Sequence, residues 1–257
     1  MKKQMALSSL PPTGTSEPLL QSLIEQHPLG SAIIILIADL IVSVTIGWSV
    51  QKLLPQFQPE FVTLVVMSVF VALALSILGW WKTAGFNLPT EWHEVGLVVI
   101  PFLIVIGLPF LKGINTENLS SPTYLIVGYA LTGFMEEGLM RGIVLQMLKP
   151  LGVTRSVIIS SILFALLHIT NFLFRNPFIV LAQMLGAFVH GIGLGAVRLR
   201  TNTIWFVVVL HGLHDLFLKF TNFHTIPLDV VQVTLIMIYG IYILRTWKSP
   251  KGMEDKG

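Results

Sequence analysis

Glu136, Glu137 and Arg141 stand in one short run inside a long apolar stretch. No charged residue lies from Ser120 to Met135 or from Gly142 to Leu148. An ionised side chain at bilayer depth costs about 2.5–3.5 kcal/mol on insertion scales. Three such groups must therefore face protein or trapped water, which marks a candidate functional site. On a helix, residues four apart share a face and adjacent residues diverge by about 100°. Glu137 and Arg141 are thus an expected ion pair in which both groups stay charged. Glu136 has only Thr132 and Met140 at the same spacing. It has no local counter-charge and is the candidate general base or acid.

Histidines follow on later apolar segments. His168 ends Phe164-Ala-Leu-Leu-His168 and is the sole titratable group of its run. His211 and Asp215 share a helical face in His211-Gly-Leu-His214-Asp215, with His214 between them. His190 sits among small residues and reads as part of a helix-packing region. Glu136 and His168 lie at matching distances from the turn at Lys149–Arg155, about 20 Å at 1.5 Å per residue. His211 lies about 13 Å from its own helix end on the same rise. The groups can therefore converge near mid-membrane.

Such a set can activate water in two ways. Glu136 takes the proton from water positioned by His168, while His211 donates to the developing oxyanion. Alternatively, His168, His211 and Glu136 hold a divalent metal such as zinc, with water in the open position. No His-Glu-x-x-His motif supports the second version. The expected cofactor is accordingly either none or one such metal.

The elements that position these residues follow from composition. The chain has 257 residues, 54% hydrophobic and 11% charged, with a mean hydropathy of +0.79, far less charged than a soluble domain. Continuous apolar runs without period-two alternation predict an all-α, polytopic transmembrane bundle. Eight spans are expected, at about 30–50, 61–81, 95–111, 123–148, 156–174, 177–197, 202–219 and 226–244. Pro101 and Pro109 predict a kink in the third.

Residues 1–27 read as a polar N-terminal segment without a signal peptide, in which Leu10-Pro-Pro-Thr-Gly14 matches a sorting signal by chance. Residues 28–122 supply N-terminal helices, 123–220 the catalytic core, 221–246 the last helix, and 247–257 a disordered tail. Without cysteine there is no disulfide framework.

Lys2, Lys3, Lys82, Lys149, Arg155, Arg198, Arg200, Arg245, Lys248, Lys251 and Lys256 fall on one side of the bundle. Lys52, Lys112, Arg175 and Lys219 fall on the other. This asymmetry predicts cytoplasmic termini in a plasma membrane and accounts for the net charge of +3 without nucleic-acid binding.

Glu136-Glu137-Gly-Leu-Met-Arg141, Phe164-Ala-Leu-Leu-His168 and His211-Gly-Leu-His-Asp215 together resemble the motifs of the CPBP family. These are the CAAX prenyl endoproteases and bacteriocin-processing proteins, also called the Abi family. Gly142 and the Gly191–Thr201 stretch fit as well, and the resemblance covers about residues 124–218. It implies an intramembrane endopeptidase of the bacterial plasma membrane acting on a membrane-associated peptide or protein, of glutamate or metalloprotease type. Carried over, Glu136 and His168 activate water, and His211 and Asp215 stabilise the oxyanion.

Met140 replaces a common phenylalanine, a small packing change. Asp215 replaces the asparagine of the eukaryotic enzymes. As a carboxylate it repels an oxyanion, so it must be protonated, pair with His211 or His214, or bind metal. A non-catalytic membrane binder, such as a bacteriocin-immunity factor, is the alternative. A proton-coupled transporter is less favoured, because no inverted repeat is evident.

Overall fold

A computed structural model describes residues 17–89, 92–114, 122–221 and 226–246. The sorting-like pentapeptide, Lys2, Lys3 and the tail from residue 247 lie outside the described residues.

The chain is an all-α bundle. Its helices are α1 (Glu17–Gln26), α2 (Pro28–Leu53), α3 (Pro59–Ile77), α4 (Trp92–Gly107), α5 (Pro122–Glu137), α6 (Leu145–Leu148), α7 (Val153–Leu167), α8 (Pro177–Thr201), α9 (Trp205–Phe220) and α10 (Ile226–Thr246). Helix is the form in which an apolar segment satisfies its own backbone away from water. Prolines open α2, α3 and α8, where the missing N–H costs nothing. The Asn176 side chain also accepts from the Phe178 N–H at 2.9 Å, capping α8.

Each expected span falls on one helix or on consecutive helical segments. By length and composition, five can cross a membrane among the described residues: Pro28–Leu53, Pro59–Ile77, Val95–Lys112, Val153–Leu173 and Pro177–Thr201. Ile34, Ile41, Trp48, Ile77 and Leu97 are among the large apolar side chains exposed on α2–α4. With these helices, such a surface identifies an integral membrane protein. α4 runs through Pro101 as α-helix and passes beyond Gly107 into a 3-10 turn, Leu108–Lys112, that contains Pro109.

Two differences from the sequence expectation bear on the site. α1 is a short helix packed on α2 with Ile24 buried, where only a polar segment was expected. The fourth span is not a continuous α-helix: from Gly138 to Val144 it is a π-helix, which reverts to α at Leu145. π-segments widen the turn and occur frequently at functional sites.

The bundle has two apolar cores. One joins α2, α3, α7 and the π-segment through Leu36, Val71, Met140, Ile143 and Phe164. The other joins α4, α8, α9 and α10 through Phe102, Leu194, Val207 and Ile236. Between them α5 crosses α9 at a glycine contact. A Cβ on Gly133 would strike the Val208 carbonyl, and one on Gly212 would lie 2.8 Å from the Tyr129 carbonyl. Gly133 precedes Glu136 by less than a turn and Gly212 follows His211. The crossing thus sets the acids against the histidine.

Candidate active site

Arg141 Nη1 donates to Glu137 Oε1 at 3.0 Å, and both side chains are buried, so the expected pair is present. The pair is not isolated, however. His211 Nδ1 lies 2.6 Å from the same Oε1, so Glu137 joins α5 to α9 as well as holding Arg141. The expected pair is thus part of a network that also includes His211. Helical spacing reports only neighbours on the same helix.

The other ring nitrogen of His211 faces two more acids. Nε2 is 3.6 Å from Glu136 Oε2 and 3.7 Å from Asp215 Oδ2. Both gaps exceed a direct hydrogen bond and suit a bridging water or a substrate atom. Exposure separates the acids: the Glu137 side chain is 0% exposed, against 25% for Glu136 and 29% for Asp215. Glu137 is sealed in the protein, whereas Glu136 and Asp215 can meet a reactant.

His168 caps the C-terminal end of α7 and begins a 3-10 turn. Its Nδ1 lies 3.0 Å from the Phe164 carbonyl, so Nδ1–H donates there and Nε2 is left as an acceptor. No hydrogen bond joins His168 to Glu136; His168 enters the site through Phe164. The Phe164 ring is 5.2 Å from the His168 ring and 6.0 Å from the His211 ring, edge to face. The Arg141 guanidinium lies over its face, 4.6 Å from the centroid. One aromatic side chain thereby spaces both histidines and covers the arginine.

His190, read from the sequence as lying in a helix-packing region, also belongs with this group. It is buried on α8, 5.4 Å from the His211 ring and 4.6 Å from the His214 ring. His190 Nε2 and His214 Nδ1 are buried without hydrogen-bond partners. The signal was a titratable residue in an apolar span, the same signal that marked His168. The glycines around it drew the reading toward packing, and they do pack: a Cβ on Gly191 would meet Ser161 of α7 at 2.8 Å. Asp39, buried in α2 with Oδ1 unpartnered, also escaped the sequence reading.

The candidate ligands for a divalent metal were His168, His211 and Glu136. Among the described residues, no three His, Asp or Glu side chains are arranged to hold a metal ion. His211 Nδ1 is already committed to Glu137, and Phe164 stands between His211 and His168. This arrangement does not fit the metal.

Residues 118–217 match the family model for type II CAAX prenyl endopeptidase, Rce1-like. The match contains every motif residue described above. No curated protein and no solved structure matches the chain.

Proposed function

From the Rce1-like type II CAAX prenyl endopeptidase domain at residues 118–217, we propose that this protein is an intramembrane endopeptidase in which Glu136 activates water. The observation that carries the mechanism is the placement of His211, with Nδ1 on Glu137 and Nε2 facing Glu136 and Asp215.

Water bound between Glu136 and His168 gives its proton to Glu136 as the oxygen adds to the scissile carbonyl carbon. His168 accepts a hydrogen bond from that water at Nε2, because Nδ1–H is spent on the Phe164 carbonyl. His211 acts as an imidazolium, donating from Nδ1 to Glu137 and from Nε2 to the oxyanion. Glu136, Glu137 and Asp215 supply its counter-charge. The C–N bond then breaks and Glu136 returns the proton to the leaving amine.

This assigns Asp215 to His211 rather than to the oxyanion itself, which resolves the conflict of placing a carboxylate where the eukaryotic enzymes have asparagine. The substrate is a peptide or protein segment at the membrane, and the prenylated C-terminus named by the family is its first candidate. We read the side of the bundle that carries Lys82, Lys149, Arg155, Arg198 and Arg200 as the cytoplasmic one, on the positive-inside bias.

The test is proteolysis by purified protein on membrane-peptide libraries and prenylated peptides, comparing wild type with Glu136→Ala and His168→Ala. Cleavage by wild type alone is expected, and equal cleavage by all three rejects the mechanism. The same assay run with and without a chelator, with metal content measured on the same sample, tests the metal-free chemistry. Loss of activity on chelation, restored by zinc, would overturn it.

A further inference from the structure

A second polar site lies beyond Arg141, at the end of the bundle where α6 turns into α7. A cavity of about 90 Å³ is lined by Arg141, Lys149, Arg198, Gln146, Ser156 and Asn202, and no carboxylate lines it. Among the described residues, only Arg141 of its three cations has an acid partner, Glu137, which does not line the cavity. Arg198 is buried and donates to the carbonyls of Ala84 and Thr83, at 3.1 and 3.2 Å, which orient its guanidinium without neutralising it. Lys149 makes no ion pair among the described residues.

Arg141 supplies the independent sign of a ligand. It is 2% exposed and spends Nη1 on Glu137, while Nη2 is buried without a partner. A buried donor on a charged group left unsatisfied is costly and calls for an acceptor. Glu137 bonds Arg141 through Oε1 alone, and its Oε2, also buried without a partner, makes no bond to Nη2.

We propose that this cavity, lined by Arg141, Lys149 and Arg198 and by no acid, binds a phosphate-type oxyanion. The oxyanion is either the phosphate of an anionic lipid headgroup or free phosphate. Guanidinium forks match phosphate oxygens, and Lys149 adds a point charge. Basic pockets between transmembrane helices at a membrane surface bind anionic headgroups on the same chemistry. The bound anion would face Arg141 from the side opposite Glu137, bracing the ion pair behind the candidate active site. The site does not depend on the protease reading, because binding is measured without cleavage.

The experiment follows thermal unfolding of the full chain in neutral, phosphate-free detergent. It is titrated separately with inorganic phosphate, short-chain phosphatidylglycerol and short-chain phosphatidylcholine. A saturable rise in midpoint is expected with phosphate or phosphatidylglycerol. Half-saturation should weaken about tenfold or more in Lys149→Gln and in Arg198→Gln, since each removes a charge-assisted contact. It should not move in Lys52→Gln, which alters a cation at the far end of α2.

A rise with inorganic phosphate identifies a free-anion site, and a rise with phosphatidylglycerol alone identifies a headgroup site. If Arg198→Gln does not fold, Lys149→Gln, an exposed position, carries the comparison. No saturable rise with either anion, or a rise of equal affinity in Lys149→Gln, overturns the proposal.

Discussion

The α5–α9 crossing and the α2–α3 pair each bury acid in an apolar bundle, and they treat it differently. At the first, Glu137 is fully enclosed but accepts from Arg141 and lies 2.6 Å from His211. At the second, Asp39 is buried in α2 with Oδ1 unpartnered. The surroundings differ as well. Only 17% of the most apolar stretch of α2 is buried, whereas the figure is 44% for α8, which carries His190 into the site. The outer helices face lipid, and the inner ones enclose polar groups. Burial alone therefore does not define the site; convergence of partners from several helices does.

That contrast is broken most severely by removing the reactive acid. Glu136→Gln keeps the shape of the side chain and removes its basicity. Cleavage should fall by on the order of 10²–10⁴-fold with the unfolding midpoint nearly unchanged. Single-turnover rates on a cleavable membrane peptide, set beside a melting curve, check this, and retained activity would remove Glu136 from the chemistry.

Glu137→Ala comes next, and its effect is on both stability and activity. Removing one partner of a buried pair leaves the other charge uncompensated, at a cost of about 3–5 kcal/mol. It also frees His211 Nδ1, so any folded fraction should cleave poorly. Glu137→Gln retains an acceptor for Arg141 and His211 and should be milder than Glu137→Ala in denaturant titration. The reverse order would show that Glu137 is not the link between α5 and α9.

Much of this site was legible in the chain. Charge in an apolar run is energetically conspicuous, and four-residue spacing correctly paired Glu137 with Arg141. Three features were not legible, each for a physical reason. The π-helix at Gly138–Val144 leaves no periodic signature in a segment whose seven residues are all buried. The second partner of Glu137 comes from α9, which local spacing cannot report. His190 meets His211 and His214 of α9 in a contact between helices that local spacing cannot report, beside glycines of α8 that let α7 and α10 approach closely. A Cβ on Gly240 of α10 would lie 2.8 Å from Gly193. The glycines were visible, but the polar contact beside them was not.

The glycine crossing itself offers an intermediate perturbation. Gly133→Leu would drive a side chain into the Val208 carbonyl, forcing α5 from α9. Overpacking of this kind costs about 1–3 kcal/mol. The larger consequence is geometric, because Glu136 and Glu137 would retreat from His211. Cleavage should fall further than stability predicts. Activity that tracks the folded fraction alone would show that the crossing does not set the site.

Asp39 gives the smallest expected effect and the sharpest reading of the comparison. An unpartnered buried carboxyl contributes desolvation cost and no compensating bond, so an apolar replacement of similar volume should be tolerated. Asp39→Leu is expected to leave cleavage unchanged and to leave stability unchanged or raise it by about 1 kcal/mol. Paired melting curves and cleavage rates decide between this and the opposite view, in which α2 lends the site a working acid. Were Asp39→Leu to lose activity as Glu136→Gln does while remaining folded, the two regions would belong to one functional unit. The boundary drawn here between a lipid-facing scaffold and a polar centre would then move outward to include α2.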